Sequence, residues 1–79
     1  MITNATGEIA LRYYQPAQVL ANNTPTGKQY FFDVNGDVSM AWVDPRDVDD
    51  LLRRRGGCCN KKRKMYTYAN ENAVGLWTR

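Results

Sequence analysis

The sequence contains no histidine, only two cysteines and no long apolar run among its 79 residues. Without histidine there is no imidazole to serve as a general base, a metal ligand or a proton switch near neutral pH. The cysteines, Cys58 and Cys59, are adjacent, which suits neither a disulfide framework nor the paired spacing of a zinc site. No stretch approaches the ~20 apolar residues of a membrane span. We therefore expect a non-enzymatic chain with no metal, no cofactor, no small-molecule substrate and no membrane partner.

Charge is divided unevenly along the chain. Residues 1–52 carry three basic side chains against seven acidic ones, whereas residues 53–79 carry eight basic side chains against Glu71 alone. Such a split favours an electrostatic partner for the C-terminal part, or copies of the chain that meet head to tail. The N-terminus has neither a basic n-region nor an apolar h-region, so we expect no signal peptide and synthesis in the cytoplasm.

The strongest local pattern is a β-hairpin over residues 29–43. Asn35-Gly36 is the dipeptide typical of a type I′ turn, and it places Val34 opposite Asp37. Both faces of this hairpin are apolar, whereas a sheet that is solvated on one side needs only one apolar face. The hairpin is therefore either central in a small barrel, or its second face meets another chain.

The remaining elements follow from periodicity and capping residues. Asp44 is a helix N-cap and Pro45 fits the first helical position, while Asp47 lies in the first turn, where the helix dipole favours an anion. Asn70 is a second N-cap. We expect strands over 8–14 and 65–69, a helix over 45–55, a basic loop over 56–64 and a short helix over 70–77. This order predicts one small α+β domain over 1–79, built on a small antiparallel sheet or an SH3-like partial barrel.

Seven of the 11 basic residues lie between positions 53 and 64. Clustered lysines and arginines gain affinity for phosphates through counterion release, and Tyr66 and Tyr68 follow where they could stack on bases. The alternatives are a solvated helix end and a salt-bridged contact with an acidic protein surface. The candidate residues for contact with nucleic acid or an acidic partner are Arg53, Arg54, Arg55, Lys61, Lys62, Arg63 and Lys64.

The second apolar face of the hairpin and the C-terminal tryptophan are candidates for contact between subunits. Small chains often obtain part of their stability from assembly. The predicted subunit-interface residues are Phe31, Met40, Trp42 and Trp77.

Several short motifs resemble a known class of proteins. They are TGKQYFF at 26–32, Val43-Asp44, Asp47-Val48 with Leu51-Leu52, RGGCC at 55–59 with its basic run, and the closing Ala69-Asn70-Glu71 and Trp77-Thr78. Over roughly residues 26–79 the chain resembles small structural proteins of tailed bacteriophages. The resemblance implies a component of the virion head, neck or capsid surface that is made in the host cytoplasm. It implies no catalytic residue. The partners we expect are other virion proteins, copies of the chain, or both, and packaged DNA is an additional candidate contact.

Two interpretations of function follow. The leading one is a non-enzymatic virion structural protein (a capsid, cement or neck component) that acts through protein–protein contacts in an oligomeric assembly. The alternative is a small nucleic-acid-binding module that uses the basic segment 53–64.

Overall fold

The computed structural model describes residues 2–56 and 63–77. Cys58, Cys59, Lys61 and Lys62, with most of the predicted basic loop, lie outside the described residues. The elements are β1 (Ile9–Tyr13), β2 (Val19–Ala21), β3 (Tyr30–Asn35), β4 (Val38–Val43), α1 (Pro45–Arg53), β5 (Tyr66–Tyr68) and α2 (Glu71–Trp77). The strands form one antiparallel sheet in the order β2-β3-β4-β1-β5. The predicted α+β fold with an antiparallel sheet is confirmed, and neither α1 nor α2 is long and apolar enough to cross a membrane.

The sheet curls into a half-barrel. Phe32 on β3 and Tyr66 on β5 are separated by two intervening strands, so in a flat sheet they would lie roughly 14 Å apart at ~4.8 Å per strand. Their ring centroids are instead 4.9 Å apart. The curl therefore closes the concave side of the sheet around its own aromatic side chains.

The concave side of the sheet holds the larger apolar cluster. Alternate residues of the strands point into it and α1 covers it with Val48 and Leu51, as the helical spacing predicts. Ile9, Leu11 and Tyr13 share this face, as the alternation in 8–14 predicts. The buried members are Ile9, Leu11, Tyr13, Ala21, Tyr30, Phe32, Ala41, Val43, Val48, Leu51 and Tyr66.

The convex side of the sheet is covered in part by the chain's own C-terminal helix. Ala73 of α2 packs with Ala10, Val38 and Met40 in a second cluster, which Trp42 and Trp77 flank. The side-chain Oδ1 of Asn70 accepts a hydrogen bond of 2.8 Å from the Ala73 N–H, so the predicted N-cap is confirmed. The second apolar face of the hairpin therefore does not need another chain to bury it along β4.

The helix α1 begins as predicted and ends earlier. The Asp44 carboxylate accepts from the Arg46 N–H at 2.9 Å, and Pro45 occupies the first turn. The helix ends at Arg53 rather than at residue 55, because the Arg54 backbone is extended. Arg55 then pairs with Lys64 in an isolated β-bridge. Only one of the three arginines thus lies in the last helical turn.

The hairpin turn lies one residue later than predicted. Asn35 pairs with Val38, so Gly36 and Asp37 are the two central residues of the turn. Gly36 has a φ of +66°, and it is the only one of these two residues with a positive φ. Glycine at the first central position is the requirement of a type II′ turn, so the predicted type I′ turn around Asn35-Gly36 is wrong.

Candidate functional site

A buried carboxylate joins α1 to the loop before β3. Asp47 is fully buried, and it accepts hydrogen bonds from the Thr26 N–H at 3.1 Å and the Thr26 hydroxyl at 2.5 Å. The Tyr30 hydroxyl donates to the same carboxylate at 2.6 Å and accepts from the Asp44 N–H at 3.2 Å. Burial acts to raise the pKa of Asp47, but the hydrogen bonds from Thr26 and Tyr30 outweigh it and lower that pKa.

The N-cap carboxylate of α1 is held by two cations. Asp44 accepts from the Arg46 guanidinium and from the Lys28 ammonium, each at 2.9 Å. The donors on Arg46 first, and then the Lys28 ammonium, lower the pKa of Asp44. Burial, and then the bond to Asp47, raise the pKa of Tyr30 to about 12. The bonds of Asp47 to Thr26 and of Asp44 to Lys28 thus tie the loop before β3 to the start of α1.

Two of the predicted basic contacts are committed to the chain's own structure. The Arg54 guanidinium donates to the Asp50 carboxylate at 2.9 Å and to the Asn22 carbonyl at 2.7 Å, so it ties the end of α1 to the residue after β2. Arg55 donates to the Leu52 carbonyl at 3.0 Å, where it satisfies the last turn of the helix. Arg54 is therefore not a free cation for a phosphate or an acidic partner.

Three other predicted basic residues lie at the surface. Arg53, Arg63 and Lys64 are exposed, and Arg63 has its guanidinium carbon 5.2 Å from the centroid of the Tyr14 ring. Within residues 2–56 and 63–77, neither Arg53 nor Lys64 forms an ion pair. We call these three residues the basic surface.

The predicted stacking tyrosines behave differently from each other. Tyr66 is only 2% exposed and packs against Phe32 in the core, so its ring is not available to a base. That prediction is wrong because the curl of the sheet brings β5 over β3. Tyr68, in contrast, is 48% exposed at the edge strand β5.

The four predicted interface residues differ in how exposed they are. Met40 is fully buried under α2, so the prediction that it contacts a neighbouring subunit is wrong. Trp42 is half-buried beside the same cluster. Trp77 is half-buried, and its Nε1–H donates to the Asp33 carbonyl at 2.9 Å while its own carbonyl accepts from the Asn35 side chain at 2.7 Å. Phe31 alone of the four is mainly exposed, at 55%.

Sequence reasoning missed the partner of Phe31 on the surface. Leu20, on the unpredicted strand β2, lies directly opposite Phe31 and is 51% exposed. Directly opposed residues of antiparallel strands lie on the same face of the sheet, so the two side chains form one exposed apolar patch. We call this patch the Leu20–Phe31 pair. The signal that could have found it is the short apolar run Val19–Ala21 between two polar segments.

No group of three potential metal-ligating side chains occurs in the part of the chain that the structure describes. In comparisons with protein-family models, with curated proteins and with solved structures, nothing matches this chain. The described residues form a small α+β domain with a half-barrel sheet, one exposed apolar pair and three exposed basic residues, Arg53, Arg63 and Lys64.

Proposed function

We propose that this chain is a non-enzymatic structural protein that acts through protein–protein contacts in an oligomeric assembly. The observation that carries the proposal is the Leu20–Phe31 pair. Exposed apolar side chains are common singly, but two that lie side by side across neighbouring strands form a surface that gains free energy when a partner covers it. The assembly would be a tailed-phage virion, with the chain as a capsid, cement or neck component, on the resemblance of residues 26–79.

The network around Asp47 and Asp44 supports a structural role rather than a chemical one. A general acid or base must have a proton to exchange with a substrate, and its pKa must lie near the working pH. The pKa values of Asp44 and Asp47 are lowered and that of Tyr30 is raised, so all three are held away from neutrality. Each is also occupied by neighbours in the chain.

Mass spectrometry of particles purified from cells that produce the chain tests this proposal. We expect the chain in several copies per particle, retained through a density gradient and through a wash at high salt, because apolar contacts persist when charges are screened. A chain that is absent from the virions, or that a salt wash removes in full, would contradict the proposal.

Contact with nucleic acid is a second candidate, and the basic surface supports it. Arg53 and Lys64 are exposed cations without a carboxylate partner in the described ranges, which is the state from which phosphate binding releases counterions. Their use is compatible with the first proposal, since a virion protein can lie against packaged DNA.

The salt dependence of duplex DNA binding tests the second candidate. For the double variant Arg53→Gln/Lys64→Gln, the logarithm of the binding constant should fall less steeply with the logarithm of salt concentration. The slope should become less negative by about 0.9 for each phosphate that the variant no longer neutralises. The matched control is Arg12→Gln/Lys28→Gln, which removes the same charge away from residues 53–64 and leaves Arg46 on the Asp44 carboxylate. Equal slopes for the two double variants would reject the basic surface as the binding site.

A further inference from the structure

The two edges of the sheet differ in charge. Charged residues beside an edge strand are a common means by which proteins prevent that edge from pairing with another chain. Strand β5, at one edge, begins two residues after Lys64 and three after Arg63. Strand β2, at the other edge, lies in a segment with no charged residue between Arg12 and Lys28. Strand β2 therefore has no charged residue of its own at this edge, and the nearest described cation is Arg54, which donates to the Asn22 carbonyl just beyond the strand.

The edge of β2 that faces away from β3 pairs with no strand in the described ranges. The same strand carries Leu20, half of the exposed apolar pair. An unpaired strand edge and an exposed apolar face thus meet at one place, and a strand added there would satisfy backbone groups and bury apolar surface together.

We propose that a second copy of this chain pairs antiparallel with the edge of β2, around a two-fold axis beside Leu20. This inference rests on the proposed function, for which it names a partner. In this register Leu20 lies opposite Leu20 of the second copy, and Val19 lies opposite Ala21. The exposed face then carries one continuous apolar strip of two leucines flanked by two phenylalanines.

The self-pairing opposes no like charges within the strand. The residues flanking β2 are Gln18 and Asn22, so the two-fold register places an amide opposite an amide and no charge opposite a like charge. An isologous contact of this kind requires only that one patch match itself. Beyond the strand, the Asp33 carboxylate accepts from the Gln18 side chain at 3.2 Å, and the Arg54 guanidinium donates to the Asn22 carbonyl at 2.7 Å. The two-fold register therefore places the acidic end of one copy opposite the basic end of the other, which favours the second copy.

The contact is small, and its expected affinity follows from its size. A standard interface covers about 800 Å² of each partner, and the accessible surface of the whole chain is 5026 Å². A strand of three residues covers less than that standard area, and its shortness limits the number of backbone hydrogen bonds. We therefore expect two isolated copies to associate weakly, and only at high protein concentration. In an assembly, several contacts acting together would strengthen the association.

Sedimentation equilibrium from about 10 µM to about 1 mM measures this association. The wild-type mass should rise from 9.1 kDa toward twice that value. Leu20→Lys and Leu20→Glu should each weaken association by about tenfold or more, because each places like charges opposite one another at the axis. An equimolar mixture of the two variants should recover association. If the two-fold axis lies at Leu20, a mixed pair places the introduced lysine opposite the introduced glutamate. The control Leu76→Lys makes the same change at a 44% exposed leucine of α2 and should associate as the wild type does.

The outcomes separate this inference from the proposed function. A wild type that stays monomeric, association that survives Leu20→Lys, or a mixture no better than its components would each overturn the β2 pairing. If the chain is nevertheless present in virions, the proposed function stands and another protein covers the pair. Circular dichroism and thermal melting establish that both Leu20 variants are folded, so that loss of association is not loss of structure.

Discussion

The hydroxyl of Tyr30 donates to the carboxylate of Asp47 over 2.6 Å, and both groups are buried between β3 and α1. The bond joins residues that are 17 positions apart and fixes the direction in which α1 leaves the sheet. Because Asp47 is enclosed with three donors to its two oxygens, the loss of any one of these hydrogen bonds should lower the free energy of unfolding.

Asp47→Asn should destabilise the fold by about 1–3 kcal/mol, because the amide group replaces one carboxylate acceptor with a donor that faces other donors. Urea denaturation monitored by tryptophan fluorescence measures the loss. The matched control is Asp49→Asn, an exposed residue of the same helix, which should change the free energy of unfolding by less than about 0.5 kcal/mol. Equal effects of the two variants would show that Asp47 is dispensable.

Stability should fall at alkaline pH. The pKa of Tyr30 is raised to about 12, whereas an unfolded chain titrates its tyrosines near 10. A raised folded-state pKa contributes stability that is fully present below the unfolded value and is lost as pH rises from about 10 to about 12. Urea denaturation at intervals from pH 8 to pH 12 should show this decline.

Tyr30→Phe provides the comparison for the alkaline decline. It removes the titrating group and should flatten the dependence on pH, while lowering stability at neutral pH by about 1–2 kcal/mol through the lost hydrogen bonds. The buried Tyr66, whose pKa burial also raises, would supply the slope that remains. A variant that keeps the full wild-type decline would assign the effect to other groups.

How far the sequence could predict this fold is clearest at the hairpin. The alternation of residues 29–43 identifies which side chains share a face, but a shift of two residues leaves those faces unchanged. The apolar pattern therefore could not choose between Val34 and Phe32 as the partner of Ser39. Ser39 is in fact opposite Val34, and its hydroxyl donates to the Ala17 carbonyl at 2.6 Å, a contact with a segment whose position no local pattern gives.

At the candidate surfaces too, the sequence predicts local features but not contacts between distant segments. The N-cap residues Asp44 and Asn70 were predictable because capping depends on the residue and its immediate neighbours. The burial of Met40 and Tyr66 was not, because it depends on α2 folding over the sheet and on the curl that joins β3 to β5. Asp47 was predicted as a residue of the first turn, but its bonds to Thr26 come from a loop 21 positions away.

Alanine substitutions at Met40 and Phe31 should have different effects, the first on stability and the second on assembly. Met40→Ala empties a site that is fully buried between the sheet and α2 and should cost about 2–5 kcal/mol of unfolding free energy. Phe31→Ala removes a ring that is 55% exposed, so it should change stability much less and weaken association instead. Thermal melting and sedimentation on both variants test the pair. If Phe31→Ala left association unchanged, the Leu20–Phe31 pair would not be the contact surface.

The side chain of Trp77 should hold α2 against the sheet. Its indole N–H donates to the Asp33 carbonyl at 2.9 Å, and Trp77→Phe keeps an aromatic ring while removing that donor. The change should cost about 1 kcal/mol and raise amide hydrogen exchange in α2 before it does so in β1 or β4, since local opening follows the weakest contacts. Trp42→Phe is the control, because Trp42 flanks the same cluster and should alter exchange in β4 rather than in α2. Exchange that rises equally throughout the sheet and both helices would mean that α2 unfolds only together with the rest of the chain.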